Sequence, residues 1–230
     1  MRIAPAVALA LLALPAAAVE QVRYIKIDVE PYYVSSVTRE GGPRIGPFIK
    51  HNEQLASKRR EDIVAVRDAM AADAAGASPM ALMVLAIRLY DVGLRDDAVF
   101  WFYAARDRFT TLTAVLDTDT QALIQNERAT RAFALKAGPA INGYAYCDLA
   151  KQKETRHRAL EWVTRNPYQA LFAEQLPARP GDRKANLQRA LESLRAAEQE
   201  DADYLALPAN VAKLQAARRE NSAEEKYCWK

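Results

Sequence analysis

The chain has 230 residues and a formal net charge of +3, from 32 Lys and Arg against 29 Asp and Glu, with only 8 glycines. A near-neutral balance of many charges lacks the concentrated basic face that nucleic acid demands, so no nucleic-acid partner is expected. Scarce glycine beside abundant Ala, Leu, Glu, Arg and Gln biases the chain toward helix.

The first residues read MRIAPAVALALLALPAAAVEQ. Arg2 is a minimal positive start, Ile3 to Leu14 is an apolar stretch of export-signal length, and Ala16-Ala17-Ala18 satisfies the small-x-small rule for cleavage before Val19. The stretch is shorter than the about 20 apolar residues that span a bilayer. Residues 1–18 are therefore read as a cleaved signal peptide, and the mature protein as periplasmic or secreted, with no membrane insertion after cleavage. Cleavage removes Arg2 and lowers the formal charge from +3 to +2.

Residues 19–48 form an extended N-terminal segment. In QVRYIKIDVEPYYVSSVT, residues 21–38, Arg23, Ile25, Ile27 and Val29 alternate with Val22, Tyr24, Lys26 and Asp28, which predicts a short strand or hairpin ending at Pro31. GGPRIGP at 41–47 is a loop by its Gly and Pro content. From there to residue 230 the pattern is helical. Asn52–Ala72 carries Leu55, Ile63, Val66 and Met70 at amphipathic spacing. Ser78 and Pro79 supply an N-cap and first helical residue, and Gly93 ends that helix.

Asp96 and Asp97 open the next helix, where carboxylates suit the positive end of the dipole. A helix over Asp119–Lys136 is expected to stop at Gly138-Pro139, and another runs from Tyr144 to Arg165 before Asn166-Pro167. Lys184–Glu200 follows Pro180-Gly181-Asp182, with Leu187, Leu191 and Leu194 on one side, and a last helix starts after Pro208. The expected fold is mainly α, about seven helices in antiparallel hairpins, with a short N-terminal strand or hairpin added.

The two cysteines, Cys147 and Cys228, form an even set in a chain read as exported, which favours pairing. The bridge would close a loop of roughly 80 residues and staple the tail EKYCWK to a central helix.

Val99, Phe100, Trp101, Phe102 and Tyr103 make an unbroken apolar run. Consecutive helical residues advance about 100° each, so such a run surrounds its helix. Trp101 and Phe102 are expected in the core, while Phe100 and Tyr103 fall on other faces and become binding candidates if exposed. Around the run, Leu85, Ala86 and Leu89 precede Gly93, and Ala98, Phe102 and Ala105 follow it, with Ala98-x-x-Trp101-Phe102 in register. Residues 79–109 resemble a single tetratricopeptide or Sel1-like repeat, departing from it at Thr110, where a proline is usual. Ala159, Trp162 and Val163 echo the pattern, with Glu154 where the turn glycine would stand. Stacked arrays need about three units, so the resemblance implies a hairpin with repeat-like packing and a groove in which a protein partner could dock.

Chemistry-bearing patterns are sparse. His51 and His157 lie in no metal or catalytic motif, and Glu154-x-x-His157-x-x-x-Glu161 lacks the second motif a di-iron bundle needs. Asp117 and Asp119 lack the glycine and terminal glutamate of a calcium loop and are read as caps. Asp148, Glu161 and Glu174 are the carboxylates a fold would have to bring together for polymer cleavage. No catalytic residue, cofactor or metal is expected. The sequence is read as an exported, non-catalytic helical protein that binds another protein, with an immunity protein or inhibitor of a secreted toxin as one form. The alternative is a small periplasmic hydrolase acting on an envelope polymer.

Overall fold

Ser78 and Gly93 bracket the helix on which the rest of the molecule is assembled. The Ser78 hydroxyl accepts the Ala81 N–H at 3.1 Å, with Pro79 just inside the start. At the other end Gly93 takes φ +81, so its N–H reaches Tyr90 O and the Leu94 N–H reaches Leu89 O at 2.8 Å. A left-handed glycine permits this paired closure of the last carbonyls.

The computed structural model describes residues 19–27 and 48–229. Among them are nine α-helices: α1 Phe48–Ala56, α2 Arg60–Ala72, α3 Pro79–Asp91, α4 Arg95–Val115, α5 Ile124–Ala145, α6 Leu149–Arg165, α7 Arg183–Ala206, α8 Pro208–Glu220 and α9 Ala223–Tyr227. A short 3₁₀ turn, Gln169–Phe172, lies between α6 and α7. The fold is mainly α, as composition and periodicity predict. The signal-peptide residues, residues 28–38 of the expected strand and the loop at 41–47 lie outside the described residues.

Pro79 through Ile87, Leu89 and Tyr90 are all buried, so α3 is enclosed on every side. The short turn Val92–Leu94 folds α4 back along it, and this pair makes the most extensive helix contact in the molecule. α5, α6 and the first half of α7 close around α4. Trp101 and Phe102 are in the core, as expected. Each large side chain fully buried there contributes about 1.5–3 kcal/mol.

Three elements differ from the sequence reading. The helix expected over Asn52–Ala72 is broken at 57–59, where other groups satisfy the backbone: Ser57 Oγ accepts the Arg59 N–H at 3.1 Å and Ser57 O accepts Arg88 Nη2 at 2.7 Å. Helix α5 runs straight through Gly138-Pro139. Proline removes the hydrogen bond to Leu135 O, but Leu135 is exposed, and Phe133, Ala137, Ala140 and Ile141 on the opposite face are buried. Packing outweighs the missing bond. The third difference is at the N-terminus: residues 19–27 form no strand among the described residues, because their donors and acceptors are taken by α3 and the tail.

The tail is fastened to α5. Cys147 and Cys228 stand at disulfide distance, their Cα atoms 5.6 Å apart. Tyr227 lies so close over Gly143 that a Cβ there would meet its ring at 2.6 Å. α9 therefore seats on α5 where the side chain is missing.

Candidate functional site

Asp91, in the last turn of α3, organises one end of the molecule. Its carboxylate accepts the Ile25 N–H at 2.7 Å and Arg88 Nη1 at 2.9 Å, and the Lys26 backbone N–H as well. Held this way, Lys26 has φ +52, a left-handed conformation uncommon outside glycine. Burial pushes the Asp91 pKa above its ordinary value, more than the Ile25 and Arg88 bonds pull it down. Beside it the Tyr90 hydroxyl donates to Val22 O at 2.8 Å, and burial raises that phenol to about 12.

The C-terminal tail completes the arrangement. The Val22 N–H bonds to Lys226 O at 2.9 Å. The Trp229 ring stacks under the Arg95 guanidinium at 3.9 Å and the Arg23 guanidinium at 5.1 Å, while Arg95 donates to Tyr227 O and Trp229 O at 3.2 and 2.6 Å. Cations stacked on an indole in this way add about 0.5–1 kcal/mol each at exposed sites.

Between the N-terminal segment, the α1–α2 junction, the end of α3 and Trp229 lies an open cleft of about 1100 Å³. Arg23, Lys26, Lys58, Arg60 and Arg88 line it against one carboxylate, Asp91, with Tyr24, Ile27 and Trp229 as its apolar lining. Lys26, Lys58 and Arg60 are exposed, and among the described residues none of the three is seen in an ion pair.

A second, smaller polar cavity of about 190 Å³ sits between α4, the end of α5, α6 and α7, lined by Tyr103, Asp107, Gln152 and Arg156 among others. Asp107 is buried and ion-paired with Arg156. Gln152 Nε2 donates to the Tyr103 hydroxyl at 3.2 Å. Burial raises the Asp107 pKa despite the nearby Arg156. Its carboxyl carbon should thus titrate above the ordinary value of about 3.9 when followed by carbon NMR. A raised native pKa means that this group's contribution to stability is full below the unfolded value and falls as pH rises through the native one. Asp107→Asn should abolish that NMR transition and that component of the pH dependence; titration at or below the ordinary value would contradict the assignment.

The sequence candidates are placed as follows. Tyr103 is buried. Phe100 is half-buried, its ring 5.1 Å from Trp101 and 6.3 Å from Trp162, with Arg158 above it at 5.6 Å. His51 is half-buried, beside the groove at Gly76. His157 faces Glu198 at 3.0 Å on the surface. Asp117 closes the turn before α5 by accepting the Asp119 N–H at 3.3 Å, and both residues face Arg179.

Asp148 caps α6 through the Lys151 N–H at 3.0 Å. Glu161 stands 13 residues further along α6, about 20 Å by helical rise, and Glu174 is exposed in the following loop. These three carboxylates do not converge. The Cys147 and Cys228 sulfurs and a Glu224 oxygen lie within 4.8 Å of one another, but the sulfurs are bonded to each other and Glu224 is paired with Arg218 at 3.0 Å.

The geometry is that of a helical protein in which residues 22–26 and the C-terminal tail are tied together beside a basic cleft. No family model matches the chain, and no solved structure matches it. A protein of Haemophilus influenzae described as an uncharacterized protein is 35% identical over 213 residues, covering 91% of this chain and 81% of the relative. The chain belongs to the same family as that protein.

Proposed function

We propose that this is an exported, non-catalytic helical protein that binds another protein through the basic cleft, inhibition of a secreted toxin being the form of that binding to test first. The cleft itself carries the reading. Among the described residues its single carboxylate, Asp91, is already engaged by two backbone N–H groups and Arg88, which commits it to holding the N-terminal segment rather than to general acid or base work. At about 1100 Å³ it slightly exceeds the usual 300–1,000 Å³ of a small-ligand pocket and suits a segment of a larger partner. The repeat-like spacing of residues 79–109 supports the same reading, and the signal-like sequence of residues 1–18 supports a partner outside the cytoplasm.

A photo-crosslinking amino acid at exposed Lys58 should capture one defined protein from the native envelope fraction. The same group at Leu135, 73% exposed on α5, should not. Release of soluble fragments from purified envelope polymer by the mature protein would overturn the non-catalytic reading in favour of the hydrolase.

A further inference from the structure

We propose that the cleft recognises an acidic, extended peptide segment carrying at least one large apolar residue. The inference rests on the protein-binding reading above and names the chemistry of the partner. Among the described residues, five cationic side chains face one carboxylate across the cleft, in a chain whose charges otherwise nearly cancel. The imbalance is therefore local. Arg88 is engaged with Asp91 and Ser57, and Arg23 is engaged with Gln21 and Trp229. Lys26, Lys58 and Arg60 remain exposed along the cleft, on two separate stretches of chain.

Cations on two walls suit an anionic chain laid between them better than a single compact anion. Trp229, Tyr24 and Ile27 give that chain an apolar surface to rest on, and Tyr24 is 57% exposed. One wall of the cleft is fixed by its backbone: the Asp91 bonds hold residues 25 and 26, and the bond between Val22 and Lys226 holds the tail beside them. A preformed site loses less freedom on binding.

The test is a fluorescein-labelled peptide of eight glutamates around one tryptophan, titrated by anisotropy against the mature protein. A glutamine version of the same peptide should bind at least tenfold more weakly. Raising sodium chloride from about 0.05 to 0.5 M should weaken the acidic peptide by a similar factor, since exposed charges are screened over shorter distances. The double charge reversal Lys58→Glu/Arg60→Glu, at exposed positions, should lose at least tenfold in affinity with helical content by circular dichroism unchanged.

Equal binding of the two peptides, or no effect of the double reversal, overturns the proposal. So does tighter binding to phosphatidylglycerol vesicles with the same dependence on Lys58 and Arg60, which would assign the charge to a membrane surface. Capture at residue 58 of a protein without an acidic segment would leave the protein-binding reading standing and remove this partner class. Tight binding of the acidic peptide with no protein captured at residue 58 would uphold the cleft chemistry and remove the protein-binding reading.

Discussion

Replacing Arg108 by methionine is expected to destabilise the protein by about 3–6 kcal/mol, because three carbonyls lose their donor, at about 1–3 kcal/mol for the buried one and toward the lower end of that range for the two partly buried ones. The side chain is 0% exposed in the middle of α4. Its Nη1 donates to Ala74 O and Ala77 O, both at 2.6 Å, and Nη2 donates to Asn166 O. One guanidinium thus gathers the chain after α2, the approach to α3 and the end of α6. The Trp162 ring lies 4.4 Å from it. Burial pulls its pKa down to about 10, still far enough above neutrality for the charge to persist.

Methionine approximates the packing and removes every donor, so the loss isolates the hydrogen bonds. The melting temperature should fall by roughly 6–24 °C, at about 2–4 °C per kcal/mol for a chain of this size. Arg108→Lys should fall between the two, since it keeps the charge but not the planar fork. A change under about 1 kcal/mol for the methionine variant, by urea denaturation, would show that the carbonyls find other donors.

Removing the cross-link should have a comparable effect by a different route. Cys147 and Cys228 are 81 residues apart in sequence, and closing a loop of that length limits the unfolded chain by up to about 4–5 kcal/mol in the chain-entropy model. Cys147→Ser/Cys228→Ser should lower the urea midpoint accordingly, and reduction of the wild type should reproduce the shift. The loss should also be local in the folded state, since the tail then depends on the Arg95 bonds and the Tyr227 contact at Gly143. In hydrogen exchange the amides of Val22 and α9 should lose protection while those of α3 keep theirs. An unchanged midpoint together with unchanged exchange at Val22 would mean that the tail is held without the bond.

The helix start at Ser78 and the stop at Gly93 were legible in the sequence because capping is local: a side chain or a φ angle acts on backbone within a few residues. The burial of Trp101 and Phe102 was legible from periodicity alone. Gly138-Pro139 misled for the same reason, since the local rule says stop and only packing by Phe133, Ala137 and Ile141 keeps α5 going.

Arg108 could have been found. It shares the 3-and-4 spacing of Trp101, Ala105, Leu112 and Val115, all buried, and a charge on a buried stripe signals partners. The basic cleft could not. Its residues come from positions 23–27, 56–60, 88–93 and 229, and a net charge summed over the chain hides a cluster assembled from four distant stretches. The cysteines pair as their number and the inferred compartment suggest, although what the bridge positions, the Trp229 wall, is visible only in three dimensions.

The bond between Val22 and Lys226 makes the chain from the expected cleavage point onward almost a ring. Neighbouring ends are the condition under which circular permutation is tolerated, and the exposed turn at Gly181, with φ +98 and helices on either side, is the natural place to reopen it. A permuted chain in which a short linker joins the end of the C-terminal tail to residue 19 would keep Cys228 and Trp229 and carry its new ends at that turn. Affinity tags could then be attached at that turn.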